Sequence, residues 1–153
     1  MFARYTKRGF TLVEILIVVI ILGILAAIVI PQFTNASQDA RKSSLVSQLQ
    51  TLRSQIELFK LQHGDQLPDL ATSWDPLTTV TTYNGVNFGP YMQAVPKNPL
   101  NNLITVANTA SLTTPAAGTG VGFMYNYTVT NPGDGTGRIW GTSDSAGNVI
   151  YIE

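Results

Sequence analysis

The sequence predicts an α+β fold, in which one long hydrophobic N-terminal α-helix packs, through its C-terminal half, on a small antiparallel β-sheet. An apolar run of helical length covers residues 10–30, and a helical spacing of apolar residues continues towards residue 62. Beyond Gly64 the chain changes to short β-prone runs separated by turn residues. A chain of 153 residues has room for one modest domain besides the helix.

The apolar run is long enough to cross a bilayer. Phe10–Ile30 contains 21 residues, which span roughly 30 Å as a helix. Three basic residues, Arg4, Lys7 and Arg8, precede it, and basic flanks stay on the cytoplasmic side. We therefore expect a single-pass helix whose following domain lies outside the cytoplasm.

The residues around the start of this run differ from those of an ordinary secretory signal. Such a signal is cut after its apolar stretch, whereas here the small residue Gly9 comes before it, followed by Phe10 and Glu14. Together with Pro31, these residues resemble the N-terminus of the type IV pilin superfamily. The resemblance implies that a prepilin peptidase cuts after Gly9 and that Phe10 is N-methylated. A plain signal anchor with an incidental Glu14 is the alternative.

Glu14 is the residue that most needs an explanation. An unpaired carboxylate within a membrane helix costs at least about 2.5–3.5 kcal/mol. The α-amino group that cleavage creates on Phe10 is a suitable counter-charge, within one subunit or between staggered subunits. The resemblance implies the second arrangement, in which Phe10 and Glu14 set the register of assembly. A role limited to recognition by the peptidase is the alternative.

Two residues of the apolar run predict local flexibility of the helix. Pro31 lacks the N–H that would bond to Ala27, and Gly23 costs roughly 1 kcal/mol relative to Ala. The resemblance implies that this stretch can lose helicity in a filament. A static kink at the membrane surface is the alternative.

The predicted organisation has four parts: a leader that is removed (1–9), a transmembrane and filament-core helix (10–31), the amphipathic half of the long helix (32–63) and a globular β head (64–153). In the third part, five apolar residues share one helix face that a sheet would cover: Leu45, Leu49, Leu52, Ile56 and Phe59. His63 is expected to cap the helix, and Gly64 is expected to end it.

The head is predicted to contain four strands, at 103–107, 123–129, 138–141 and 148–152, with a weaker one at 78–83. The last two of the four strands would pair antiparallel across residues 143–148. Within the head, the segments 88–92 and 95–101 look like the Gly-Pro-Tyr and Pro-x-x-Pro region of major pseudopilins of type II secretion systems. The alternative is that these Pro and Gly residues only mark turns.

Composition argues against an enzyme and against nucleic-acid binding. His63 is the only histidine, there is no cysteine, and neither a Gly-x-Ser-x-Gly elbow nor a phosphate-binding Gly-x-x-x-x-Gly-Lys loop occurs. Removal of the leader takes away three of nine basic residues and leaves nine acidic ones, a net charge of about −3. No cofactor is expected, with calcium as the one open question.

The calcium question concerns the oxygen-rich loops of the head. Asp134 and Asp144 lie in these loops, near Asn131, Asn148, Thr142 and Ser143. Calcium takes six to eight oxygen ligands, and the resemblance implies that a site can occur there. Ordinary turn chemistry is the alternative.

The resemblance implies a structural subunit of a type II secretion pseudopilus, polymerised through its N-terminal helix to drive protein export. The alternative is the major subunit of a surface type IV pilus, used for adhesion, motility or DNA uptake; Glu14 argues against a minor tip subunit. Implied partners are further copies in a helical filament, the peptidase, the inner-membrane platform and ATPase, and minor pseudopilins. The implied location is the bacterial inner membrane, with a periplasmic head, followed by a periplasmic or cell-surface filament.

Overall fold

A computed structural model describes residues 9–110, 120–127, 135–143 and 149–150. The chain divides into two compact units, Met1–Asp39 and Ala40–Glu153. The elements are α1 (Leu12–Gln62), α2 (Asp75–Thr78), β1 (Thr81–Tyr83), β2 (Val86–Phe88), β3 (Val106–Asn108), β4 (Phe123–Tyr125), β5 (Ile139–Thr142) and β6 (Val149–Ile150).

The long helix α1 is confirmed. It runs without a break for 51 residues and contains both Gly23 and Pro31. Gly64 follows its end with φ of +63°, and the Asp65 N–H donates to the Lys60 carbonyl oxygen at 2.9 Å. This six-to-one hydrogen bond around a left-handed glycine is the Schellman stop. The predicted end of the helix at Gly64 is therefore confirmed.

The apolar stripe of α1 is buried as predicted. Leu45, Leu49 and Leu52 have no exposed surface, and Ile56 and Phe59 are also buried. They form one core with residues of the following segment and of the sheet: Leu67, Leu70, Trp74, Leu77, Phe123, Tyr125 and Ile139. A Cβ on Gly141 would lie 2.6 Å from Leu45 Cδ2, so glycine lets β5 approach α1 closely.

The β-structure consists of two sheets. β1 and β2 form an antiparallel pair, and the other four strands form a second sheet in the order β3-β4-β5-β6. β4–β5 and β5–β6 are antiparallel, as expected for the last pair, whereas β3–β4 is parallel. The α+β fold is confirmed, and its larger sheet is mixed.

Of the hairpin formed by β1 and β2, the prediction included only the first strand. Asn84 and Gly85 both have positive φ, 49° and 80°, as a type I′ turn requires. An Asn-Gly pair between β-prone residues is a hairpin signal that the strand prediction did not use. The weak strand predicted at 78–83 begins at Thr81 in the structure, because Thr78 is the last residue of α2. This short helix, which has Pro76 in its first turn, was not predicted.

The other strand boundaries differ from the prediction by a few residues. β3 begins at Val106 and not at residue 103, because both backbone groups of Leu103 are bonded elsewhere. The Leu103 carbonyl oxygen accepts from Asn98 N–H, and the Leu103 N–H donates to Asn101 Oδ1. These bonds hold Leu103 in a turn. β4 ends at Tyr125, β5 covers 139–142 and β6 covers 149–150; predicted strand positions 128–129, 148 and 151–152 lie outside the described residues.

Candidate functional site

The start of α1 holds Glu14 in a capping box. Thr11 N–H and the Thr11 hydroxyl both donate to Glu14 Oε2 at 2.7 Å, and Glu14 N–H approaches Thr11 Oγ1 at 3.3 Å. Ile15 N–H donates to the Thr11 carbonyl oxygen at 3.3 Å, which makes Thr11 the N-cap. These reciprocal bonds satisfy donors that a helix start leaves unpaired.

The capping box lowers the free-energy cost of placing the Glu14 carboxylate in an apolar environment. A buried polar group costs free energy unless it is hydrogen-bonded, and Thr11 supplies two donors to Glu14. A carboxylate has about four lone-pair sites, so it can accept a further bond from another chain. Thr11 was missed at the sequence level, although Thr-x-x-Glu before an apolar run is the sequence pattern of this motif.

Gly9 and Phe10 precede the capping box and are exposed. The Phe10 side chain is 84% exposed, and within the described ranges no atom beyond the chain neighbours lies within 4 Å of a Cβ placed on Gly9. Phe10 lies one helical turn before Glu14 in the sequence, but the hydrogen-bond partner that the structure gives Glu14 is Thr11.

Between Ile15 and Ile30, α1 is apolar around its whole circumference. Its large hydrophobic residues between Ile15 and Ile30 are 41–64% exposed. By length and composition, α1 is suited to cross a membrane, and the described part of the chain buries none of its most apolar stretch. Gly23 lies in this part, and among the described residues no atom beyond the adjacent turns of its own helix lies within 4 Å of an added Cβ. A helix that is apolar all round needs lipid or other helices around it.

His63 joins the end of α1 to the β1–β2 hairpin. Its ring stacks on Phe59 at a centroid distance of 3.8 Å, and its Nδ1 lies 2.9 Å from the Phe59 carbonyl oxygen. Because a carbonyl oxygen only accepts, Nδ1 carries a hydrogen. Nε2 lies 2.9 Å from Thr81 Oγ1, and the rings of Tyr83 and Phe88 pack alongside. These contacts agree with the predicted capping role.

The calcium candidates Asp134 and Asp144 lie outside the described residues. Of their neighbours, Thr142 is fully buried. Its Oγ1 accepts from Asn101 Nδ2 at 2.7 Å, and its hydroxyl donates to the Val121 carbonyl oxygen at 2.5 Å. That hydroxyl therefore connects the end of β5 to the residues that precede β4. Among the described residues, no group of three or more His, Cys, Asp or Glu side chains is placed to hold a metal ion.

Comparison with known proteins places the N-terminal part in a defined family. Residues 4–30 match the prokaryotic N-terminal methylation motif. The chain is similar to proteins named type II secretion system core protein G. It is 30% identical to that of Aeromonas hydrophila over 100 residues, which cover 63% of this chain and 69% of the relative. It is 31% identical to that of Vibrio cholerae over 99 residues, which cover 63% and 67%.

The match to some relatives covers a smaller share of each chain. With the protein of the same name from Dickeya chrysanthemi, the chain is 42% identical over 58 residues, 38% of each chain. The chain thus matches about two fifths of the length of such relatives. No solved structure shows a significant match to it. On the matches that extend over two thirds of the relatives, the chain belongs to the type IV pilin-like family of type II secretion system core protein G, the major pseudopilins.

Proposed function

We propose that the protein is a structural filament subunit of a type II secretion pseudopilus, which polymerises through its N-terminal helix to drive protein export. The observation that carries this proposal is the N-terminal part of α1: an exposed apolar helix that follows Gly9 and Phe10 and holds one carboxylate, Glu14, in a capping box in its first turn. Family membership supports the same function.

Maturation would begin with cleavage after Gly9 by a prepilin peptidase, followed by N-methylation of Phe10. The exposure of both residues supports this step, as does the match of residues 4–30 to the methylation motif. Cleavage removes Arg4, Lys7 and Arg8 and creates a new α-amino group on Phe10.

In assembly, the amino group of Phe10 in one subunit would pair with Glu14 of its neighbour. The Thr11 cap would keep the carboxylate hydrogen-bonded while the subunit is in the membrane. An ion pair between subunits closes only at one axial offset, so it would set the register of the filament. Water is excluded from such a core, and the attraction between opposite charges is therefore strong there.

The apolar segments would move from lipid into the filament core. Both surroundings are apolar, so the exchange releases little hydrophobic free energy, and an inner-membrane platform and ATPase would drive extraction. Gly23 and Pro31, which lie inside the continuous α1, would let this segment adjust during packing. The head would face the periplasm, where minor pseudopilins are further partners.

The function is tested by deleting the gene and comparing the extracellular proteome and surface filaments with those of the parent strain. We expect specific secreted proteins to be lost while surface pili stay intact. Unchanged secretion with missing pili would instead identify a subunit of a surface type IV pilus and overturn the proposal.

The role of Glu14 is tested by complementing the deletion strain with E14A and E14Q. Glutamine can still accept the Thr11 hydrogen bonds through its amide oxygen but carries no charge. We expect both variants to be inserted and cleaved but to enter filaments poorly, because the charge is needed. E57Q is the matched control, since Glu57 is an exposed residue of the same helix.

The two variants separate the possible roles of the Glu14 carboxylate. Normal filaments from E14A would contradict any role in assembly. Normal filaments from E14Q together with a defect in E14A would show that the cap, and not the charge, is required. A failure of cleavage in either variant would instead support a role in recognition by the peptidase.

A further inference from the structure

We draw no further inference here: the strongest candidate, the exposed and uncharged face of α1 that carries Ser44, Ser47, Thr51, Ser54, Leu58 and Leu61 away from the core stripe, is a helix face for which nothing in the structure shows what covers it.

Discussion

Tyr125 is a fully buried tyrosine of β4 whose hydroxyl finds no hydrogen-bond partner in the part of the chain that the structure describes. An unsatisfied buried hydroxyl costs free energy, and its removal without a change of shape is nearly neutral or stabilising. We therefore expect Tyr125→Phe to leave the free energy of unfolding at pH 7 unchanged or to raise it by up to about 1 kcal/mol. Denaturant unfolding in mild detergent measures this change, and a large loss of stability would show that the hydroxyl is bonded.

The same residue should make stability depend on pH in the alkaline range. Burial raises the pKa of Tyr125, and the nearby Tyr127, Asp69 and Glu57 add to the effect. Above pH of about 10, the unfolded chain loses this proton while the folded chain keeps it. The unfolding free energy of the wild type should then fall with pH, by up to about 1.4 kcal/mol per unit from this group. In Tyr125→Phe the fall should be correspondingly shallower, and an identical slope would contradict the assignment.

In contrast to the Tyr125 hydroxyl, both polar atoms of the buried Asn98 side chain are hydrogen-bonded. Its Nδ2 donates to the carbonyl oxygens of Gly122 at 2.7 Å and Thr142 at 2.9 Å, and its Oδ1 accepts from Leu100 N–H at 2.9 Å. The side chain therefore ties the Pro-rich segment to the ends of β4 and β5. We expect Asn98→Ala to lower the free energy of unfolding by at least about 2 kcal/mol, because it leaves buried groups unpaired.

The control for Asn98→Ala is Asn87→Ala. Asn87 is exposed in β2, and its Oδ1 accepts from the Thr82 hydroxyl at 2.7 Å. Water can replace that bond, so we expect a loss below about 1 kcal/mol in the same unfolding measurement. Equal losses in the two variants would mean that burial of Asn98 does not matter. Sequence alone did not identify Asn98, because asparagine is mostly exposed in proteins and is common in turns.

At the scale of elements, the two halves of α1 differ in which of their side chains are buried. Its N-terminal part is apolar all round, whereas from Leu45 onwards only one stripe is buried. The stripe was predictable because a spacing of three and four residues repeats along it. The sheet partners were less predictable, because strands of two to four residues leave little periodic pattern, and their ends depend on turn bonds such as those around Leu103.

Two leucines of α1 provide a matched test of the difference between its buried stripe and its exposed faces. Leu52 has no exposed surface, and Leu61 is 77% exposed. We expect Leu52→Ala to lower the free energy of unfolding by about 2–5 kcal/mol, through lost burial and a residual cavity. Leu61→Ala should change it by no more than about 0.5 kcal/mol. Denaturant titration of both variants checks the expectation, which fails if Leu61→Ala is as damaging as Leu52→Ala.

At the scale of the molecule, the division at Asp39 and Ala40 separates two kinds of surface. Every buried hydrophobic residue among those described belongs to the second unit, between Leu45 and Trp140. The large apolar side chains described in the first unit, from Phe10 to Phe33, are exposed, and none of them is among the buried residues. The second unit therefore has the packing of a folded domain, whereas the first requires surroundings that the chain does not supply.

This division predicts the behaviour of a shortened chain. A protein comprising residues 40–153 should be soluble without detergent and unfold cooperatively, because it keeps the whole described core. The full chain should need detergent or assemble, because its exposed apolar helix is retained. Sedimentation and thermal unfolding by circular dichroism measure both properties. Leu52→Ala in the shortened chain should lower its melting temperature, and a non-cooperative transition of the unsubstituted shortened chain would show that the core depends on residues before 40.

Some parts of this protein could be predicted from its sequence alone, because they rest on local or periodic patterns. These are the membrane-length helix, the buried stripe and the glycine stop at Gly64, together with the Gly9–Phe10–Glu14 constellation that identifies the family. Each follows from residues close together in the chain, where spacing and backbone preference act directly.

Other features depend on residues far apart in the chain and became evident only in the folded structure. These include the parallel pairing of β3 with β4, the insertion of Asn98 between Gly122 and Thr142, and the docking of His63 against Thr81. The Asn98 and His63 contacts have no local signature, because a polar side chain becomes buried only where distant groups offer it hydrogen-bond partners. The β3–β4 pairing has none either, because strand pairing depends on which segments meet in three dimensions, and residue spacing does not encode this.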